Sequence, residues 1–307
     1  MALGVLNNLS AIYAENNLNN TSNSLQAVLQ QLSSGSRINS GADDAAGLSL
    51  VNGLGANSTA LTQSATNATE GVGLLEVADG ALSQVTSLLN RAVTLATEAS
   101  NGTLNSTQEA AANQEYQSIL AEISNIGSTT TYNQNQVFTG STTGVNIYTG
   151  DSSSTGASVD TLYFAVLSSA SVGDAGGSVA YTAASGGTPA TISYTSVATS
   201  TNQIDLKATD LTSTADAELA LTSLNQAISA VAAQDGYIGA QINTLNSINQ
   251  VMTTQKDNVV SAQNAIQATD YASATSNMSK YEILSQTGIA ALAQANTVQQ
   301  EVTKLLQ

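Results

Sequence analysis

The chain has 307 residues, with 22 Asp and Glu against 6 Lys and Arg, no His and no Cys, for a formal net charge of −16 at pH 7. The six cations, Arg37, Arg91, Lys207, Lys256, Lys280 and Lys304, are scattered, which excludes the clustered phosphate contacts of nucleic-acid or anionic-membrane binding. Without His or Cys there can be no Ser-His-Asp triad, HExxH zinc site, thiolate metal site or disulfide.

Residues 1–34 read as a helix with sparse anchors: Leu3, Leu6, Leu9, Leu18, Leu25, Val28, Leu29 and Leu32. They are set among Asn, Thr and Ser, mediocre helix formers that would leave the segment partly disordered alone. The opening MALGVLNNLSAIYAENN lacks the basic and continuous apolar regions of a secretory leader. In the connector Ser33–Leu48, Gly35 is expected to end the first helix and Ser40 or Asp43 to cap the next. The connector carries Arg37, Asn39, Asp43 and Asp44. Arg37 is expected either to pair locally with the aspartates, a contribution of about 0–1 kcal/mol if exposed, or to set the angle between two layers of an assembly.

An apolar seven-residue register then runs through Leu54, Leu61, Ala68, Leu75, Leu82, Leu89 and Ala96. A second runs through Ala217, Leu224, Val231, Ile238, Leu245, Met252, Val259 and Ile266. Registers this long predict left-handed coiled-coil seams, each a helical rod of about 70 Å if unbroken. Gly53-Leu-Gly55 and Gly71-Val-Gly73 lie inside the first seam rather than after a strand, so they fail as phosphate-binding turns. A third helix is expected over Thr107–Ile126.

From Thr129 to Thr212 short β-prone runs alternate with Gly clusters, which predicts hairpins over 135–167 and a small β-module over 168–206. The longest strongly apolar run, Leu162–Leu167, is far short of a membrane span. Asp151–Gly156 imitates a Ca²⁺ loop but has Leu162 where the bidentate Glu belongs. Asp210 or Ser213 is expected to cap the long C-terminal helix. The stretch from Tyr281 mirrors the N-terminal one, with Ile283, Leu284, Ile289, Leu292, Val298, Val302, Leu305 and Leu306 as anchors. Two weak helices at opposite chain ends are natural partners, because neither buries enough apolar surface to offset its ordering entropy. Leu25, Leu29, Leu32, Leu284, Leu292, Val302 and Leu305 are the expected packing residues.

The sum is a mainly α protein, a long helical bundle pairing N- and C-terminal segments with a small β insertion. Asp43–Asp44, the one adjacent carboxylate pair, lacks flanking aromatics for a sugar, so no enzyme, cofactor or metal is expected. Charged residues supply only 9% of the chain, against roughly 25% in ordinary soluble proteins. Such a neutral polar surface favours packing against copies of itself.

At SLQAVLQQLSSGSRINSGADDAAGLSL (Ser24–Leu50) and YEILSQTGIAALAQANTVQQEVTKLL (Tyr281–Leu306) the chain resembles bacterial flagellin. IGAQINTLNSI (Ile238–Ile248) and IQATDYA (Ile266–Ala272) fit the same pattern, although Gln234 marks one of two family arginines that are replaced. The resemblance implies a subunit of the swimming filament, with hook–filament junction protein as the alternative. It implies an inner coiled-coil domain of 1–43 plus 268–307 lining the filament channel. An outer helical domain of 44–167 plus 207–267 and a variable surface module of 168–206 would surround it. It further implies extracellular export, without a cleaved leader, by the flagellar type III apparatus, and contacts with an export chaperone, the filament cap and hook-junction proteins. In the family an Arg, a Leu and a Glu engage a vertebrate Toll-like receptor. Arg91 and Leu95 match that pattern and Glu115 is the candidate for the third position; the alternative is that all three are ordinary surface residues on an assembly face.

Overall fold

The computed structural model describes residues 8–140, 144–150, 159–168, 171–172, 178–182, 191–195 and 205–305, with side chains except in 171–195, 302–303 and 305. Leu3, Leu6, Leu306, the side chains of Val302 and Leu305, and most of the expected 168–206 module lie outside the described residues. The elements run α1 (Leu9–Ser34), α2 (Ala45–Ala99), α3 (Ser106–Thr129), eight short strands, α4 (Thr214–Gln267) and α5 (Tyr271–Leu305). Among the described residues the strands pair only with chain neighbours, in four antiparallel pairs: β1 (Thr131–Tyr132) with β2 (Asn135–Gln136), β3 (Val145–Tyr148) with β4 (Val159–Leu162), β5 (Leu167–Ser168) with β6 (Ser171–Val172), and β7 (Ser178–Thr182) with β8 (Thr191–Thr195).

Local chemistry explains the helix ends. Gly35 adopts φ +69° and closes α1, a left-handed cap that a side chain would resist. Neither Ser40 nor Asp43 starts α2. Asp44 does, accepting the Gly47 N–H at 2.8 Å, because the Asp43 carboxylate is already taken by the Asn39 and Ser40 N–H groups at 3.0 and 2.8 Å. Asn105 and Gln108 form a reciprocal capping box at α3. At α4 the Ser213 hydroxyl accepts the Asp216 N–H at 3.2 Å, while Asp210 turns its carboxylate to the Thr212 N–H at 3.1 Å.

The chain divides into two compact units, Met1–Ser58 with Asp257–Gln307 and Thr59–Lys256. The bounds of both units fall inside α2 and α4. In the 59–256 unit the α2 register and the α4 register as far as Leu245 are interior, while Met252 is half-buried. Leu61, Leu75, Leu82 and Leu89 of α2 and Leu224, Ile238 and Leu245 of α4 are buried, with Tyr116, Leu120 and Ile123 of α3 beside them in the core. Each such side chain contributes about 1.5–3 kcal/mol on burial. The Phe138 and Phe164 rings meet edge to face at 6.4 Å under this core. By length and composition alone α2 could cross a membrane; Leu75, Leu82 and Leu89 of its apolar stripe are instead buried in a core shared with residues of α3 and α4.

Candidate assembly surface

The Met1–Ser58 and Asp257–Gln307 unit is built differently. α1 packs on α5 along its length. Asn8 ties their ends together, its side-chain oxygen capping α1 through the Ala11 N–H while its amide donates to the Ala295 carbonyl at 3.0 Å. Gly288 lets Leu18 approach closely. Yet Val28 is the one described α1 residue that is fully buried, and Ala274 its counterpart on α5. Leu25, Leu32 and Leu292 are half-buried. Leu29 and Leu284, expected to pack, are 45% and 43% exposed. Leu9, Ile12 and Tyr13 of α1 and Tyr271, Ile283, Ile289 and Val298 of α5 are exposed as well, Ile283 at 61%. Two helices in contact can each hide only one stripe, so the remaining apolar residues stay in water. Such patches mark interaction surfaces. The seam residues at this end, Leu54 and Ile266, are half-buried.

The connector is a tight clasp within this unit. Ser36 forms an antiparallel bridge with Ala268, the Arg37 N–H donates to the Gln267 carbonyl at 2.7 Å and the Thr269 N–H to the Gly35 carbonyl at 3.1 Å. The Arg37 guanidinium does not pair with Asp43 or Asp44. It donates to the Ile266 carbonyl at 2.7 Å, where the last turn of α4 leaves carbonyls unpaired and a cation is favoured. Asn39 donates to the Ser36 carbonyl at 2.9 Å. The Ser40 and Asn39 N–H groups and the Ser40 hydroxyl hold the Asp43 carboxyl below the usual carboxylate range.

In the 59–256 unit Arg91 and Glu115 form an exposed ion pair at 2.7 Å between α2 and α3. Leu95, expected beside them at the surface, is 3% exposed because its helix face turns into the core. A second arrangement had no signal in the sequence. Gln234, fully buried, accepts the Ala165 N–H at 3.3 Å and donates to the Tyr163 carbonyl at 3.1 Å. One turn on, the Tyr237 hydroxyl accepts the Tyr163 N–H and donates to the Thr161 carbonyl, both at 3.3 Å. Together they clasp the extended segment 161–165 to α4. Burial pushes the Tyr237 hydroxyl up to about 12, so it remains a neutral donor. Among the described residues no group of His, Cys, Asp or Glu could hold a metal ion.

A closed helical core in one unit and uncovered apolar helices in the other define a structural subunit that associates with copies of itself. Residues 5–143 match the bacterial flagellin N-terminal helical region and residues 221–306 the bacterial flagellin C-terminal helical region. The chain belongs to the bacterial flagellin family. It is 30% identical over 303 residues to the flagellin of Listeria innocua serovar 6a, covering 97% of this chain and 98% of that one. To the flagellin of Listeria monocytogenes serovar 1/2a it is 29% identical over the same length. Polar flagellin C of Vibrio parahaemolyticus is 38% identical over 141 residues, 46% of this chain and 37% of that protein. The crystal structure of Bacillus cereus flagellin aligns at 25% identity and a TM-score of 0.44, covering 64% of this chain and 94% of that one. The protein is thus a structural subunit of the flagellar filament, an extracellular polymer for swimming. Nothing favours the hook–filament junction reading.

Proposed function

We propose that the uncovered apolar faces of α1 and α5 are the subunit contacts of the innermost filament layer, lining its channel. Residues 44–167 and 207–267 then supply the surrounding helical layer and residues 168–206 the outermost part. The observation that carries this reading is the exposure of Ile283, Ile289, Tyr271 and Tyr13 on helices whose other faces already pack together. Export by the flagellar type III apparatus, chaperone binding before export, and capping and hook-junction partners at the filament ends follow from the same assignment. A Toll-like receptor contact lacks such support, since Leu95 is buried and Arg91 and Glu115 engage each other.

Ile289 is 57% exposed, so its cover in the polymer contributes about 1–2 kcal/mol, on the order of a tenfold change in subunit affinity. An Ile289→Ser subunit should show the wild-type circular dichroism melt of the 59–256 core and about tenfold higher critical concentration for polymerisation. An unchanged critical concentration would remove α5 from the contact.

A further inference from the structure

The sequence contains two Asn-Gly steps, Asn52–Gly53 and Asn101–Gly102, and the structure treats them in opposite ways. Both asparagines are exposed, so solvent access does not separate them. Asn52 and Gly53 sit inside α2, where the helical ladder holds the Gly53 N–H against a carbonyl one turn back. Asn101 and Gly102 form the turn that leaves α2, with Gly102 at φ +59°. The Asn101 N–H donates to the Glu98 carbonyl at 3.3 Å, which fixes the turn up to that point. Beyond it the Gly102 N–H and the Asn101 side-chain amide have no hydrogen-bond partner among the described residues. Asn101 also lines an open groove with Thr97, Glu98 and Ser100, so its carboxamide is bathed in water. Glycine adds no Cβ to shield its own nitrogen.

We infer that Asn101 is a site of spontaneous chemical modification, at which the folded subunit converts this asparagine to aspartate and isoaspartate. Solvent hydroxide takes the Gly102 amide proton, and the nitrogen attacks Cγ of Asn101. The new C–N bond closes a five-membered succinimide while the Cγ–NH₂ bond breaks, and ammonia leaves with a proton from water. A second water then opens either ring carbonyl. Opening at the backbone carbonyl leaves the chain running through the former side chain, one methylene longer; opening at the other gives ordinary aspartate. The balance is one water consumed and one ammonia released, with no redox change. Ring closure requires the Asn backbone to rotate out of helical geometry, which the free turn at 101 permits and the α2 ladder at 52 forbids. Each event adds one negative charge to the existing −16, beside Glu98.

The test incubates the full-length folded subunit in warm, mildly alkaline buffer and follows both steps by peptide mass mapping and isoaspartyl-methyltransferase labelling. A parallel sample is held in denaturant. The expected result is conversion at Asn101 alone in the folded subunit, with a mass gain of O for NH and part of the product labelled, and conversion of both sites in denaturant. Asn101→Gln should abolish the label from the folded sample. An unmodified Asn101 in the folded subunit while the denatured chain converts would overturn the inference. So would equal conversion of Asn52 and Asn101 in the fold.

Discussion

Leu245 offers the sharpest test of the packed helical core. It is fully buried on α4, and its Cδ1 lies 3.0 Å from where a Cβ would stand on Gly71 of α2, with Ile147 of β3 at 3.2 Å from the same point. The leucine therefore fills the space that a missing side chain on α2 provides. Leu245→Ala leaves a cavity that Gly71 has no atoms to fill, so the loss should fall in the upper part of the usual range, about 3–5 kcal/mol. For a unit of this size that corresponds to a drop of about 6–20 °C in melting temperature. Gly71→Ala alone gains about 1 kcal/mol of helix propensity and loses about 1–3 kcal/mol to crowding against Leu245 and Ile147. In the double variant the new methyl enters the space Leu245 vacated, so the crowding becomes filling. The melting temperatures of wild type, both single variants and the double variant, followed by far-ultraviolet circular dichroism, should reveal a favourable coupling of about 1–2 kcal/mol. Strictly additive losses would mean that Leu245 and Gly71 do not share this space.

Gln234→Ala should cost about 1–3 kcal/mol, since it leaves the Ala165 N–H and the Tyr163 carbonyl unpaired; hydrogen exchange should show lost protection at residue 165 first. Burial, and then the neighbouring Asp79 carboxyl, hold the Asp235 carboxyl above its ordinary range. A raised folded-state value stabilises below the unfolded value, about 3.9, and that contribution is lost as pH rises through the folded one. Asp235→Asn should therefore melt higher than wild type at about pH 7, with the difference closing near about pH 4. Arg37→Ala removes the cation from the Ile266 carbonyl, and filament shape and critical concentration should change while the melt of the 59–256 core does not.

The long helices were legible because a seven-residue period is a property of the chain itself, and every register position from Leu61 to Ala96 is buried. The connector was legible only in part. Arg37 is near two aspartates in sequence, but backbone N–H groups satisfy Asp43 and Asp44 first, and the unpaired carbonyl at the end of α4 lies 229 residues away. The β1–β2 hairpin escaped notice because Asn133 and Gln134 make its left-handed turn at φ 48° and 65° without a glycine, and the hairpin expectation began only at residue 135. The clasp of Gln234 and Tyr237 on segment 161–165 could not be read at all: side chains that bond to main chain some 70 residues away leave no periodic trace.

The placement of charge supports the proposal that the terminal helices contact copies of themselves. α1 and α5 carry Glu15, Glu282 and Glu301 against Lys280 and Lys304, close to neutral in a chain of net charge −16. Most of the acidic excess lies elsewhere in the sequence. Bringing like charges together from many subunits would oppose association at every contact, and weakly so only where salt screens them. Under the proposed assignment, faces that are nearly uncharged and still expose Ile283, Ile289 and Tyr13 avoid that repulsion and leave apolar surface to be covered in the polymer. Covering those residues within the monomer would stabilise the single chain, but it would remove the driving force for adding the next one.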